Sequence, residues 1–143
     1  MKTNIALLIE QSVNVIDSLN KGLRLTHKEQ QFFCEHFERE EIKKNEFTIR
    51  IGDYEKYLYF IESGILRYWT AQEYGDPDKE VTFWFSFPGE FANSYFSLKE
   101  NQPSLIHIQA LTDCVIWKLS KQDLADLYQT SLNINKIARI VLE

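Results

Sequence analysis

The sequence predicts a mainly β domain flanked by α-helices, an antiparallel sandwich, barrel or roll, and three observations point there. Short apolar stretches recur at roughly ten-residue intervals between Gly, Pro and Asp turn signals, leaving no room for the long crossovers that parallel strands need. Helical periodicity is confined to the two ends of the chain. Aromatic residues make up 14% of the 143 residues, with ten Phe, seven Tyr and three Trp, enough to wall an interior or a cavity with rings.

At the start, Ile5, Leu8, Ile9, Val13, Ile16 and Leu19 recur at spacings of three and four, which places them on one face of a helix. Thr26 followed by Glu29 forms a capping box, and Phe32, Phe33 and Phe37 give the helix behind it an apolar face. The mixed charges of Glu38, Glu40, Glu41, Lys43 and Lys44 suit a solvated strand edge that resists pairing with other chains. The period then changes to two: Phe47, Ile49 and Ile51 alternate with Thr48 and Arg50 up to a turn at Gly52-Asp53.

Two strongly apolar strands follow, broken at Ser63-Gly64, and the second runs through Tyr68 and Trp69 to a hairpin loop at Gly75-Asp76-Pro77-Asp78. Val81 to Phe87 reads as a strand with aromatics on both faces, and Ser104 to Ala110 and Asp113 to Leu119 as two more, linked at Leu111-Thr112. Ser120 with Asp123 marks another helix start, with Leu124, Leu127 and Tyr128 inside. Ile134, Ile137, Ala138, Val141 and Leu142 continue a helical pattern to the end without a stop signal, so something is expected to follow Glu143 in the parent protein. The stripe of Ile134, Ile137, Val141 and Leu142 fits either a partner helix or the domain's own surface.

Length and apolar content describe a single domain over 1–143: helices over 1–37, the β part over 38–119, helices over 120–143. A net charge of −5 lacks the footprint that phosphate-backbone binding requires. Cys34 and Cys114, far apart and without nearby partners, read as buried, reduced thiols. No apolar run reaches the roughly 18 residues that cross a bilayer. The apolar stretch Ile5 to Ile9 is interrupted by Glu10, Asn14 and Asp17 without a cleavage site, so a cytoplasmic location with no membrane partner is expected.

The segment Pro88 to Pro103 breaks the sheet pattern, and function is sought there. Phe87-Pro88-Gly89-Glu90-Phe91-Ala92 combines a Gly that lets backbone approach closely, an acid, and a run able to make one helical turn with free N–H groups. Taken alone this is as easily a plain turn as an anion-binding elbow.

Its setting adds weight. Two helices, a Gly-Asp turn, an Ile-Glu-Ser-Gly-Ile-Leu-Arg strand pair, Pro-Gly-Glu, a Gln-Ala-Leu-Thr-Asp-Cys strand pair and a Ser-x-x-Asp-Leu helix occur in one order. That order resembles the cyclic-nucleotide-binding effector domain of Crp/Fnr-type bacterial transcription regulators over nearly the whole chain. The resemblance implies a double-stranded, jelly-roll-like β-roll with N-terminal helices and a C-terminal dimerisation helix. It implies a non-catalytic sensor of a small anionic effector, a homodimer, and DNA binding only through a helix-turn-helix domain that this chain lacks. It assigns Gly89 and Glu90 to the phosphate-binding cassette, Glu90 to the ribose hydroxyl, and the amides around Phe91 and Ala92 to the phosphate. The family's Arg, followed by a small hydroxyl residue, falls here on Ser104 and Leu105, so a charge-assisted phosphate contact of about 1.5–3 kcal/mol is missing. Tight binding of cyclic AMP is therefore not expected, unless Lys99 or Arg67 substitutes, and no resident cofactor is implied.

Rival readings fare worse on composition. A cupin-like metal enzyme needs about three protein ligands, and His27, His36 and His107 contain no His-x-His pair. An iron–sulfur sensor needs about four Cys, and two exist. Composition alone leaves a haem sensor open, as well as a module of the same fold that has lost its ligand and only dimerises.

Overall fold

The computed structural model describes residues 4–16, 25–72 and 74–130. The element order is α1 (Ile5–Ile16), α2 (His27–His36), β1 (Glu38–Ile42), β2 (Phe47–Ile49), β3 (Tyr57–Ser63), β4 (Leu66–Ala71), β5 (Glu80–Ser86), β6 (Phe91–Ala92), α3 (Tyr95–Glu100), β7 (His107–Ala110), β8 (Cys114–Ser120) and α4 (Lys121–Thr130). The strands form two four-stranded sheets, ordered β1-β8-β3-β6 and β2-β7-β4-β5, with every pairing antiparallel. This is the β-roll that the sequence order implied, with helices at its flank.

Two cores explain the strand patterns. Ile49, Tyr59, Ile61, Leu66, Tyr68 and Ile108 belong to the cluster contributed by both sheets, while Phe60, Trp117 and Leu119 turn the other way onto Ile5, Ile9, Phe33 and Leu127 of α1, α2 and α4. β3 is thus covered on both faces, which is why Leu58 to Ile61 are all buried without alternation. The helices are seated by local chemistry. Thr26 Oγ1 accepts the Glu29 amide at 3.2 Å and Glu29 Oε1 accepts the Thr26 amide at 2.8 Å, the reciprocal box read from the sequence. Ser120 Oγ accepts the Asp123 amide at 3.1 Å and opens α4.

The β3–β4 turn depends on one glycine. Gly64 has φ +90°, and a Cβ there would lie 2.5 Å from the Asp113 carbonyl oxygen and from Cys114 Sγ. Close approach of the turn to the start of β8 therefore excludes every other residue.

Several expectations are corrected. Ile51 leaves the β2 strand and lies exposed in the turn, because the Arg50 carbonyl is taken by the Asp53 amide. Ser104 to Ile106 precede β7 rather than belonging to it, since the Ser104 amide and carbonyl bond the Asp53 carbonyl and Gly52 amide. The strand read over Val81 to Phe87 is present as β5, at a sheet edge, where Phe83, Trp84 and Phe85 are exposed. Cys34 is exposed on α2, facing away from the buried Phe33, and only Cys114 is a core thiol. The charged β1 is an edge strand, as its composition indicated. The apolar stripe from Ile134 to Leu142, and the dimerisation helix expected there, lie outside the described residues, as does Leu19.

Candidate functional site

Buried polar side chains gather where the loop before β3 meets the segment from β6 to β7. Glu55 sits there, only 4% exposed. Its Oε2 accepts the Ser94 amide at 2.9 Å and its Oε1 the Tyr57 amide at 3.3 Å, while its own amide donates to Ser97 Oγ at 2.8 Å. Ser94 Oγ lies 2.8 Å from Ser104 Oγ, which in turn donates to the Ile106 carbonyl at 2.8 Å and accepts the Ile106 amide at 3.2 Å. All three serines are buried. A polar clasp thus ties together the β2–β3 loop, the segment around α3 and the approach to β7.

Burial dominates the electrostatics. It pushes the Glu55 carboxyl up to about 7, against hydrogen bonds from the Ser94, Tyr57 and Lys56 backbone that lower it. Tyr68, whose phenol oxygen accepts from Ser86 Oγ at 3.0 Å, is pushed up to about 12 by burial, and Tyr59 is raised by burial and then by the Glu55 charge. The buried Asn93 Oδ1, beside Ser94 in sequence, has no hydrogen-bond partner. A hollow of about 410 Å³ opens next to the clasp, lined by Thr48, Ile49, Gly52, Asp53, Tyr54, Glu55, Lys56, Tyr57 and Tyr59. That volume suits a small molecule.

The residues singled out from sequence are placed as follows. Gly89 takes φ +87°, and its amide donates to the Ile61 carbonyl at 2.8 Å. A Cβ on it would stand 3.2 Å from Ser12 Oγ of α1. Glu90 closes its own turn, accepting the Phe87 amide at 2.6 Å. Phe91 and Ala92 form β6, paired with Phe60 and Tyr59. Ser104 enters the clasp, whereas Leu105 is 63% exposed. Arg67 is engaged by Glu80 and Gln109 at 2.9 Å each, and Lys99 packs over the Tyr95 ring. The structure therefore brings Ser104 together with Glu55, Ser94 and Ser97, which the sequence reading did not include. Glu55 follows a Gly-Asp turn in an aperiodic stretch and carried no signal beyond being an acid.

His107 serves the fold. Its Nδ1 accepts the Ile51 amide at 3.1 Å, its ring packs at a tilt against Trp69 with centroids 4.2 Å apart, and burial followed by the Arg50 charge holds its pKa below the ordinary value. Among the described residues no group of three or more His, Cys, Asp or Glu is placed to hold a metal, and no helix is long and apolar enough to cross a membrane.

The family model for the cyclic nucleotide-binding domain matches residues 39–131. The chain belongs to the cyclic nucleotide-binding domain family. Solved structures share its fold. The sensor domain of the transcriptional regulator DNR from Pseudomonas aeruginosa is 11% identical with a TM-score of 0.71, covering 96% of this chain and 87% of that one. The catabolite activator protein of Thermus thermophilus is 23% identical with a TM-score of 0.66, covering 81% and 53%. The cAMP-bound PfPKA-R (141-441) is 19% identical with a TM-score of 0.68, covering 88% and 43%. This cyclic nucleotide-binding domain thus spans about half the length of the last two. No curated protein matches its sequence.

Proposed function

We propose that this domain is the effector-sensing part of a Crp/Fnr-like transcription regulator, receiving a small molecule in the hollow beside Glu55 and passing the signal through a homodimer to a DNA-binding part. The observation that carries the reading is the buried polar clasp formed by Glu55, Ser94, Ser97 and Ser104. Burying one carboxyl and three serines costs free energy that a purely structural interior avoids, and groups in such a setting cluster at functional sites. The clasp also joins segments that lead into both sheets, so a ligand that rearranges it would move one sheet's loops against the other's.

Family membership and fold support a sensor. Two of the structural neighbours are a transcriptional regulator's sensor domain and a catabolite activator, which supports the regulatory setting. No nucleophile–base pair is assembled in the clasp, and the reading is of a non-enzymatic domain in the cytoplasm.

The test fills the hollow. Thr48→Trp places an indole among the lining residues. Wild-type protein is expected to gain thermal stability from a component of a fractionated small-molecule extract, and T48W to lose that response while still unfolding cooperatively. An identical response in both proteins, or no response from either across the fractions, overturns the proposal.

A further inference from the structure

We propose, resting on the reading of that hollow as the effector place, that it selects a donor-bearing, uncharged or cationic small molecule over a phosphate, with Glu55 as the residue that sets the preference. Three observations lead there. The Glu55 carboxylate already holds the Ser94 and Tyr57 amides, so these donors are spent on an internal anion. A second anion placed beside it meets like-charge repulsion in a poorly hydrated setting, where the effective dielectric is far below that of water.

The neighbour across Ser94 is neutral. Ser104 supplies a hydroxyl where a phosphate would want a cation, and the hydroxyl is itself engaged by Ser94 and Ile106. Arg67 is held by Glu80, and the cation among the residues lining the hollow is Lys56, set against Asp53 and Glu55.

Among the charged residues lining the hollow, the two carboxylates of Asp53 and Glu55 outnumber the single ammonium of Lys56. Next to Ser94 of the clasp, Asn93 Oδ1 is a buried acceptor without a hydrogen-bond partner. Tyr54, Tyr57 and Tyr59 add ring faces on the hollow's wall, surfaces that attract ammonium and amide groups.

The experiment compares full-length wild type, Ser104→Arg and the double variant Glu55→Gln/Ser104→Arg by calorimetric titration with cyclic AMP at about pH 8, above the range in which burial retains the Glu55 proton. Wild type is expected to show no binding at millimolar ligand. In S104R the new guanidinium pairs with Glu55, and removing that carboxylate in the double variant frees it, so the double variant binds at least about tenfold more tightly than S104R. Equal affinities in the two variants, micromolar binding by wild type, or no binding by a folded double variant each overturn the inference. If the arginine variants do not fold, Glu55→Gln alone is titrated with inorganic phosphate while the Ser94 amide is followed by NMR. A shift confined to E55Q supports the inference, and the same response in wild type overturns it. The T48W result concerns the hollow as an effector place and is read independently of these.

Discussion

The Glu55 carboxylate and the Ser94 amide, 2.9 Å apart, join the loop before β3 to the segment that opens α3. Everything polar at that end of the roll is arranged around this bond. Burial of the carboxyl, which this bond only partly offsets, points to a stability that depends on pH.

Stability should fall as pH rises through neutrality. The folded-state pKa of Glu55, about 7, lies above the ordinary value of 4.5, so the folded protein binds the proton more tightly than the unfolded chain. Its favourable contribution is complete below about pH 4.5 and is lost as pH climbs past 7, a difference of roughly 3 kcal/mol at 1.36 kcal/mol per unit. The facing phenols of Tyr59 and Tyr68 are raised by burial and stay neutral across that window. Urea melts at about pH 5.5 and 8 should show the loss in wild type and a much flatter profile in Glu55→Gln. Parallel profiles would remove Glu55 as the cause.

Two glycines separate backbone strain from collision. Gly52 and Gly64 both have positive φ, +95° and +90°, but a Cβ on Gly52 meets nothing within 4 Å, whereas one on Gly64 strikes Asp113 and Cys114. Gly52→Ala should cost about 1 kcal/mol from conformation alone. Gly64→Ala must also displace the start of β8 and should cost at least about 3 kcal/mol. Chemical denaturation of the two variants ranks them, and equal losses would contradict the close approach.

These cases show what was legible in the sequence. Periodicity over Ile5 to Ile16, the Thr26–Glu29 box and the turn at Gly64 are local signals, and the elements they announce are present. The edge position of β5 was not legible, because its aromatic run fits a buried strand equally well and exposure depends on which strands lie beside it. Of the clasp, Ser104 was singled out in the sequence and Ser94 and Ser97 lie in the segment Pro88 to Pro103 where function was sought, while Glu55 carried no signal of its own. Glu55, Ser94 and Ser97 acquire their significance by meeting across the roll, and no spacing along the chain records that meeting.

The two thiols should differ sharply in reactivity. Cys34 is exposed on α2, while Cys114 is buried and its pKa is raised, chiefly by burial. Titration with a thiol-reactive chromophore should modify Cys34 promptly and Cys114 only on unfolding, so native protein yields one fast equivalent. Prompt modification of both would mean that the start of β8 opens readily.

Ser104→Ala isolates the clasp from any question of ligand. Ser104 Oγ bonds Ser94 Oγ, which is buried, and the carbonyl and amide of the half-buried Ile106. Removing the hydroxyl strands buried polar groups, each with a desolvation penalty of about 1–3 kcal/mol, so a loss of about 2 kcal/mol is expected. Since Glu55 stays buried with its Ser94 bond in place, the pH dependence that burial produces should survive in this variant even as the midpoint falls. A variant that instead loses the pH slope along with the stability would show that Ser104, rather than the Ser94 amide, holds the Glu55 carboxyl in place.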